Sequence, residues 1–149
     1  MRAVVQRVSR ASVTVATRIV GAIESGLAVL LSVGVDDDER DARAMAEKIA
    51  GLRIFPDGEG LMNRSVAEGG NAILLVSQFT LHGDARRGRR PSFVAAAKEP
   101  SARTLYEMAG RELERRGITV AYGEFGAKME LELVNTGPVT LLLDTKRVF

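Results

Sequence analysis

Two apolar runs of strand length constrain the fold of this chain more than any other feature. Residues 27–35 and 72–81 are almost unbroken series of apolar side chains, and the second becomes polar only near its end. Runs of this length and composition are typical of strands that are buried on both faces of a sheet. We therefore expect both runs to form core strands.

Alternating patterns around these runs predict the remaining strands. Apolar and polar side chains alternate with the period of two that half-buried strands show. Residues 56–60 contain an Asp-Gly step that suits a tight turn, which predicts a hairpin between residues 53–55 and 61–63. The strands predicted from alternation are residues 2–8, 11–16, 118–122, 127–134 and 139–143.

Helical spacing of apolar residues predicts two main helices, one over residues 42–52 and one that begins near Pro100 and ends at Gly117. The acidic run at 36–39 precedes the first helix, where the helix dipole favours negative charge. This placement explains the run fully, so we expect no metal site there. The whole chain, residues 1–149, is predicted to be a single α+β domain with a mostly antiparallel, barrel-like or sandwich sheet.

Composition excludes several classes of chemistry. The absence of cysteine removes disulfides, thiolate metal sites and cysteine nucleophiles, and a single histidine removes most zinc chemistry. The formal net charge is only +2, so only a local basic cluster argues for an anionic partner. No apolar run approaches the ~18 residues of a membrane helix. These features predict a soluble, cytoplasmic protein without membrane association, metal or cofactor.

The polar end of the second apolar run is one candidate site. Ser77 or Thr80 is a candidate nucleophile if His82 activates it, and in an extended strand Thr80 and His82 point to the same face. We favour His82 as a surface loop residue instead. The backbone N–H groups near Phe79 and Thr80, if unpaired, offer an alternative as donors to an oxyanion. On these residues alone, an ordinary strand end whose hydroxyls cap the last ladder bonds is the favoured interpretation.

The segment Asn135-Thr136-Gly137-Pro138 lies between two predicted strands and is the second candidate. A plain turn is one interpretation. A cis Gly137-Pro138 bond is the other, and it would present backbone carbonyl oxygens with little side chain around them. Such a segment is suited to sensing the shape at the α-carbon of a ligand.

A basic loop supplies the third candidate. Four arginines, Arg86, Arg87, Arg89 and Arg90, fall within residues 86–90 and have few acidic neighbours. Clustered arginines favour phosphate contact, and an RNA backbone is the partner that fits. Phe93 is the only aromatic residue nearby, which argues against a base-stacking platform.

Several motifs, in order and spacing, resemble the D-aminoacyl-tRNA deacylase family over nearly the whole chain. Any one of them alone would be a weak signal, but together they make chance agreement improbable. The motifs are M-R-A-V-V-Q-R-V at 1–8, L-L-V-S-Q-F-T-L at 74–81, R-R-P-S-F at 89–93, F-G-A-K-M at 125–129 and N-T-G-P-V-T at 135–140.

The resemblance implies an enzyme that hydrolyses the ester between tRNA and a D-amino acid, and that also removes glycine mischarged on tRNA(Ala). It implies a homodimer in which each subunit inserts a cis Gly137-Pro138 segment into the active site of the other. The roles it implies are a reaction site lined by Ser77, Gln78, Phe79 and Thr80, rejection of L-amino acids by Gly137 and Pro138, support from Arg7, and substrate contact by Met129.

The same resemblance implies that no histidine base or metal is needed, because the ester is reactive and the neighbouring 2′-hydroxyl of the tRNA can position water. Thr80 is then expected to orient groups rather than to attack. Two positions depart from the family pattern: Thr136 replaces a common Asp, and His82 replaces a common Tyr. The alternatives are a non-catalytic RNA-binding protein and a small-molecule esterase that uses Thr80 or Ser77 with His82.

Overall fold

The chain forms eight strands, two α-helices and one short 3-10 helix in a computed structural model that describes residues 1–149. The strands are β1 (Arg2–Val15), β2 (Arg18–Ile23), β3 (Gly26–Ser32), β4 (Phe55–Pro56), β5 (Met62–Arg64), β6 (Ala72–Ser77), β7 (Val120–Tyr122) and β8 (Met129–Asp144). The helices are α1 (Glu39–Gly51), α2 (Ser101–Arg115) and the 3-10 turn (Phe79–His82).

Strand β1 organises the six-stranded main sheet. It pairs in antiparallel fashion with β2, β3 and β8, whereas β3 pairs with β6, and β6 with β7, in parallel. Parallel neighbours need a crossover connection, and α1 and α2 supply the two crossovers, after β3 and after β6. The predicted α+β class with two helices and a barrel-like sheet is confirmed, and the parallel half of the sheet follows from these crossovers.

The two apolar runs form the central strands β3 and β6, as predicted. Successive residues of β6 enter different cores: Leu75 lies in a large cluster with Ile49 and Leu113 of the helices, and Leu74 lies in a smaller cluster with Val13. Burial on both faces explains why these strands have no polar face. The first run leaves the sheet after Ser32.

Both helices form where the apolar stripes predict them, and they pack against each other. The acidic run before α1 acts as a cap: Asp38 accepts hydrogen bonds from the N–H groups of Arg40 and Asp41, at 2.8 and 3.3 Å. The Asp41 carboxylate accepts from the Asp38 N–H at 3.0 Å, which completes a capping box. No helix of the chain combines the length and apolar character needed to cross a membrane.

Two strand predictions are wrong at their boundaries. Residues 2–8 and 11–16 are one strand, β1, and its partner β2 was not predicted because its side chains are mostly exposed or half-buried. The second apolar run stops at Ser77 instead of continuing to Leu81. The Gln78 N–H donates to the Leu31 carbonyl at 2.8 Å, and the chain then turns.

The segment at residues 135–138 is not a turn between two strands, because β8 runs continuously through it. The pairing with β1 shifts register there in two places, and at one of them residues 136–139 of β8 lie opposite the single residue Arg7 of β1. The Asn135 side-chain amide donates to the carbonyls of Arg7 and Val139, at 3.1 and 2.9 Å. This side chain satisfies carbonyls at the irregularity, so the strand can pass through it.

Candidate active site

A cavity of about 500 Å³ opens beside the 3-10 turn. Ser77, Gln78, Phe79 and Met129 all line it, and the Gln78 amide donates to the Thr80 hydroxyl at its edge. The structure therefore brings together five of the residues named from the sequence.

The N–H groups of Phe79 and Thr80 have no hydrogen-bond acceptor within the chain. They are the first two N–H groups of the 3-10 turn, and the first donors of a helix have no partner inside it. The carbonyls around them are engaged, since Leu81 N–H donates to Gln78 and Gly83 N–H donates to Thr80. Two free backbone donors at the edge of a cavity are able to stabilise an oxyanion.

Aromatic side chains form much of the cavity wall. Phe79 meets Phe93 edge to face at 5.1 Å between ring centres, and Tyr106 packs against Phe125 at 5.5 Å. The Tyr106 hydroxyl donates to the Leu75 carbonyl at 2.8 Å, and burial raises the pKa of this phenol. Tyr106 therefore stays protonated at neutral pH and is part of the wall, not an acid–base group.

The prediction that His82 is a surface loop residue is wrong. Its side chain is buried, and its Nδ1 lies 2.6 Å from the Ser32 hydroxyl. Burial, reinforced by the positive charge of Arg2, lowers the pKa of the imidazole below its ordinary value. Because Ser32 is its hydrogen-bond partner, His82 is not paired with Ser77 or Thr80, and the nucleophile–base pair of an esterase is not formed.

Arg7 contacts the Gly137-Pro138 segment directly. Its guanidinium donates to the Ile54 carbonyl at 2.6 Å and to the Thr136 carbonyl at 3.3 Å. A Cβ on Gly137 would lie 2.7 Å from the Arg7 Nη2, and the φ of Gly137 is +113°, a conformation that disfavours side chains. The peptide bond to Pro138 is cis, and both residues are exposed.

The chain does not bring its two candidate motifs together. Neither Gly137 nor Pro138 lines the cavity. Gly137 follows Met129, which does line it, by eight residues of β8, or ~26 Å of extended strand at ~3.3 Å per residue. The Gly137-Pro138 segment and the cavity are therefore separate places on this chain.

The arginine loop starts and ends beside the cavity. Asp84 and Ser92 exchange backbone hydrogen bonds of 2.8 and 2.9 Å at its base, next to the 3-10 turn and Phe93. Arg86 binds the Asp84 carboxylate at 2.7 Å, which lowers the pKa of that carboxyl. The other three arginines, Arg87, Arg89 and Arg90, are exposed and form no ion pair. The loop thus carries one neutralised and three free cations.

Ser32 and Tyr106 also line the cavity, although neither was predicted from the sequence as a site residue. Tyr106 gave no signal, because its position fits an ordinary apolar stripe of α2. Ser32 did give one, since it is the only residue with a polar side chain in the run 27–35. A polar side chain inside a buried strand requires a partner.

Comparison with known proteins agrees with the motifs. A D-aminoacyl-tRNA deacylase of Koribacter versatilis is 59% identical over 149 residues, which is all of both chains. The family model described as D-Tyr-tRNA(Tyr) deacylase matches residues 4–144. The chain belongs to the D-aminoacyl-tRNA deacylase family. The resemblance drawn from the motifs is confirmed, and with it an assignment to the ester hydrolases of this family.

Solved structures with the fold of this deacylase family include two full-length matches. One, described as a c-Myc DNA unwinding element binding protein, has a TM-score of 0.91 at 38% identity and covers 97% of this chain and 99% of its own. Another, described as a probable eukaryotic D-amino acid tRNA deacylase, has a TM-score of 0.81 at 19% identity and covers 95% and 97%. At that identity the second match is informative about the fold alone.

Proposed function

We propose that this chain hydrolyses the ester bond of D-aminoacyl-tRNA, and of glycyl-tRNA mischarged on tRNA(Ala), releasing the amino acid and tRNA. It acts as a proofreading enzyme in the cytoplasm. The working unit is a homodimer in which Gly137 and Pro138 of one subunit complete the cavity of the other. Ser77, Gln78, Phe79 and Thr80 line the reaction site, and L-amino acids are rejected.

The free N–H groups of Phe79 and Thr80 carry this proposal. Attack of water on an aminoacyl ester places negative charge on the carbonyl oxygen, and two preorganised donors stabilise that charge. Since an aminoacyl ester is already reactive, positioning and charge stabilisation supply the catalysis. The 2′-hydroxyl of the terminal ribose helps to position the water, so Thr80 orients groups and does not attack.

The position of Gly137 and Pro138 supports a site shared between subunits. They are exposed, held by Arg7, and remote from the cavity of their own chain. Strand β8, which carries them, pairs with β1 along one edge only, so its second edge is free in a single subunit. A free strand edge is a surface on which a second chain can pair. A second copy supplies the missing segment in this arrangement.

Rejection of L-amino acids follows from the absence of a side chain on Gly137. Its backbone can approach the substrate α-carbon closely, so an L side chain has no room while a D side chain points elsewhere. Glycine has no side chain to exclude, and glycyl-tRNA is therefore a substrate.

The direct test is hydrolysis of D-tyrosyl-, glycyl- and L-tyrosyl-tRNA by the purified protein. We expect rapid loss of the first two esters and retention of the third. Rapid hydrolysis of the L ester, or none of the other two, would overturn the proposal.

Mixed subunits test the composite site separately. Thr80→Pro removes one of the two free N–H groups together with the Thr80 hydroxyl, and Gly137→Ala blocks the exposed segment. Each variant alone should lose most of its activity, whereas co-expression should restore one working site in every mixed dimer. Activity no higher than that of the single variants would show that each subunit uses its own Gly137.

A second candidate function, nucleic-acid binding without catalysis, has its own support in Arg87, Arg89 and Arg90 and in the name of the 38% identical structure. A binding experiment with uncharged tRNA, combined with the hydrolysis assay, distinguishes this function from ester hydrolysis. Binding of uncharged tRNA together with no hydrolysis of any aminoacyl ester would favour the binding function, while turnover of the D ester would exclude it as the sole role.

A further inference from the structure

We propose that Ser32 and His82 are a positioning pair that orients the peptide unit between Phe79 and Thr80. The imidazole of His82 holds the Ser32 hydroxyl, and this hydroxyl donates to the Phe79 carbonyl. Neither residue touches the substrate. The consequence for catalysis rests on the proposed function, whereas the hydrogen-bond arrangement itself does not.

The distances select one arrangement of protons. Ser32 Oγ lies 2.6 Å from His82 Nδ1 and 3.4 Å from the Phe79 carbonyl oxygen. A hydroxyl has only one proton, so it cannot donate to both acceptors. Both contacts are hydrogen bonds only when Nδ1 carries a proton and donates to Ser32, which leaves the hydroxyl proton for Phe79. The structure therefore favours the Nδ1–H tautomer of the neutral ring.

The Phe79 carbonyl and the Thr80 N–H belong to the same planar peptide unit and point in opposite directions. A donor that fixes the carbonyl on the Ser32 side thereby fixes the direction of the N–H on the other side. Hydrogen bonds in such a chain also polarise one another, which makes the Thr80 N–H a better donor. The bond of 3.4 Å is long, so the expected contribution is orientation with a modest gain in strength.

The imidazole has little freedom to leave this arrangement. A Cβ on Gly34 would lie only 2.9 Å from His82 Nε2, so the ring packs directly on the Gly34 backbone. The Gly34 N–H is held in turn by the Asp37 carboxylate at 2.6 Å. On the other side, Arg2 donates to the Leu81 carbonyl at 3.1 Å and anchors the 3-10 turn. The ring is thus enclosed between the backbone at Gly34 and the turn that it supports.

His82 is the only histidine of the chain, so its ring signals need no assignment. Nitrogen-15 NMR of the imidazole, recorded above its ordinary pKa of about 6.5, distinguishes the two neutral tautomers. We expect the Nδ1–H form in the wild-type protein. Ser32→Ala should shift the population towards Nε2–H and move the Thr80 amide proton signal. A wild-type ring in the Nε2–H form would overturn the proposal, whether or not the protein is a deacylase.

Kinetics test the positioning role with a matched pair of variants. Asn and Leu have the same shape, but Asn places an N–H donor where Nδ1 lies. We expect His82→Leu and Ser32→Ala to lower kcat for D-tyrosyl-tRNA by about three- to tenfold with KM nearly unchanged. His82→Asn should retain most of the activity. Ser25→Ala, at an exposed turn, is the control for a serine substitution.

Equal losses in His82→Asn and His82→Leu, or an effect on KM alone, would contradict the positioning role. A wild-type protein without any activity on D esters would refute the proposed function instead, and the NMR experiment would then decide about the pair independently.

Discussion

The two motifs that carry the proposed function are built in opposite ways. The segment Ser77–Thr80 is fixed from within its own chain, by the last ladder bond to Leu31 and by the Ser32–His82 pair, and it borders a cavity. Gly137 and Pro138 are exposed and do not line that cavity, and Arg7 holds the preceding residue, Thr136, through its carbonyl. The first motif is a receptive site, and the second is a protruding one.

The difference between the two motifs indicates which functional groups a single chain contains and which a second chain must supply. Under the proposed function, the cavity and the free N–H groups that bind and activate the ester lie within one chain. The exposed segment completes the cavity of a second chain. Activation of the ester is therefore expected to depend on the first motif, whereas closure of the site and discrimination between D and L substrates are expected to depend on the second.

Gly137→Ala is expected to have the largest effect on activity. The added Cβ would lie 2.7 Å from Arg7 Nη2 and 2.9 Å from Val139 Cγ2, so the segment must move. Since a displacement of about 1 Å can cost about 100-fold in rate, we expect a loss of that order in D-tyrosyl-tRNA hydrolysis. Gly70→Ala, also at a positive φ but with open space around it, is the control. Equal losses in both variants would point to general backbone strain.

The arginine loop is expected to contribute to tRNA binding beside the cavity. Simultaneous replacement of Arg87, Arg89 and Arg90 by alanine is expected to raise KM for D-tyrosyl-tRNA by about tenfold and to flatten its salt dependence. Arg86→Ala should have a smaller effect, because Arg86 is already paired with Asp84. Steady-state kinetics across a salt series measure both. If the salt dependence of KM is unchanged in the triple variant, the RNA backbone does not bind at this loop.

Arg7→Lys is expected to affect both the rate of D-ester hydrolysis and the discrimination between D and L esters. A lysine keeps the charge but cannot donate to the carbonyls of Ile54 and Thr136 at once with the geometry of a guanidinium. We expect a loss of about fivefold in kcat/KM for the D ester, with a measurable rise in hydrolysis of the L ester. Comparison of kcat/KM for both esters checks this. A loss with an unchanged D-to-L ratio would assign Arg7 to stability alone.

The smallest expected effect is the contribution of His82 to the pH dependence of the free energy of unfolding. The pKa of His82 is lowered in the folded chain, so the unfolded chain binds the proton more readily. The stabilisation is complete above the unfolded pKa of about 6.5 and is lost as pH falls below it. Denaturant unfolding of wild type and His82→Asn should converge as pH falls through this window, and parallel curves would contradict the assignment. The charged groups that act on the ring are Arg2, Asp37, Asp144 and the amino group of Met1.

The parts of this molecule that the sequence predicted depend on local patterns. β3, β6 and both helices follow from apolar spacing, which reports burial directly. The burial of His82 cannot be predicted from apolar spacing. Its partner Ser32 is 50 residues away in the chain, and only the parallel pairing of β3 with β6 brings the two together. The continuity of β8 could not be predicted either, because it depends on the Asn135 side chain and on the register shifts in its pairing with β1.

The packing of His82 against Gly34 has an evolutionary consequence. A side chain at position 34 would collide with the imidazole, and a ring without an N–H at position 82 would leave the Ser32 hydroxyl without its donor. No one of these three positions can change freely while the other two stay as they are. Their histories should therefore be linked, and relatives that differ at the position of His82 are expected to differ at the position of Ser32 as well.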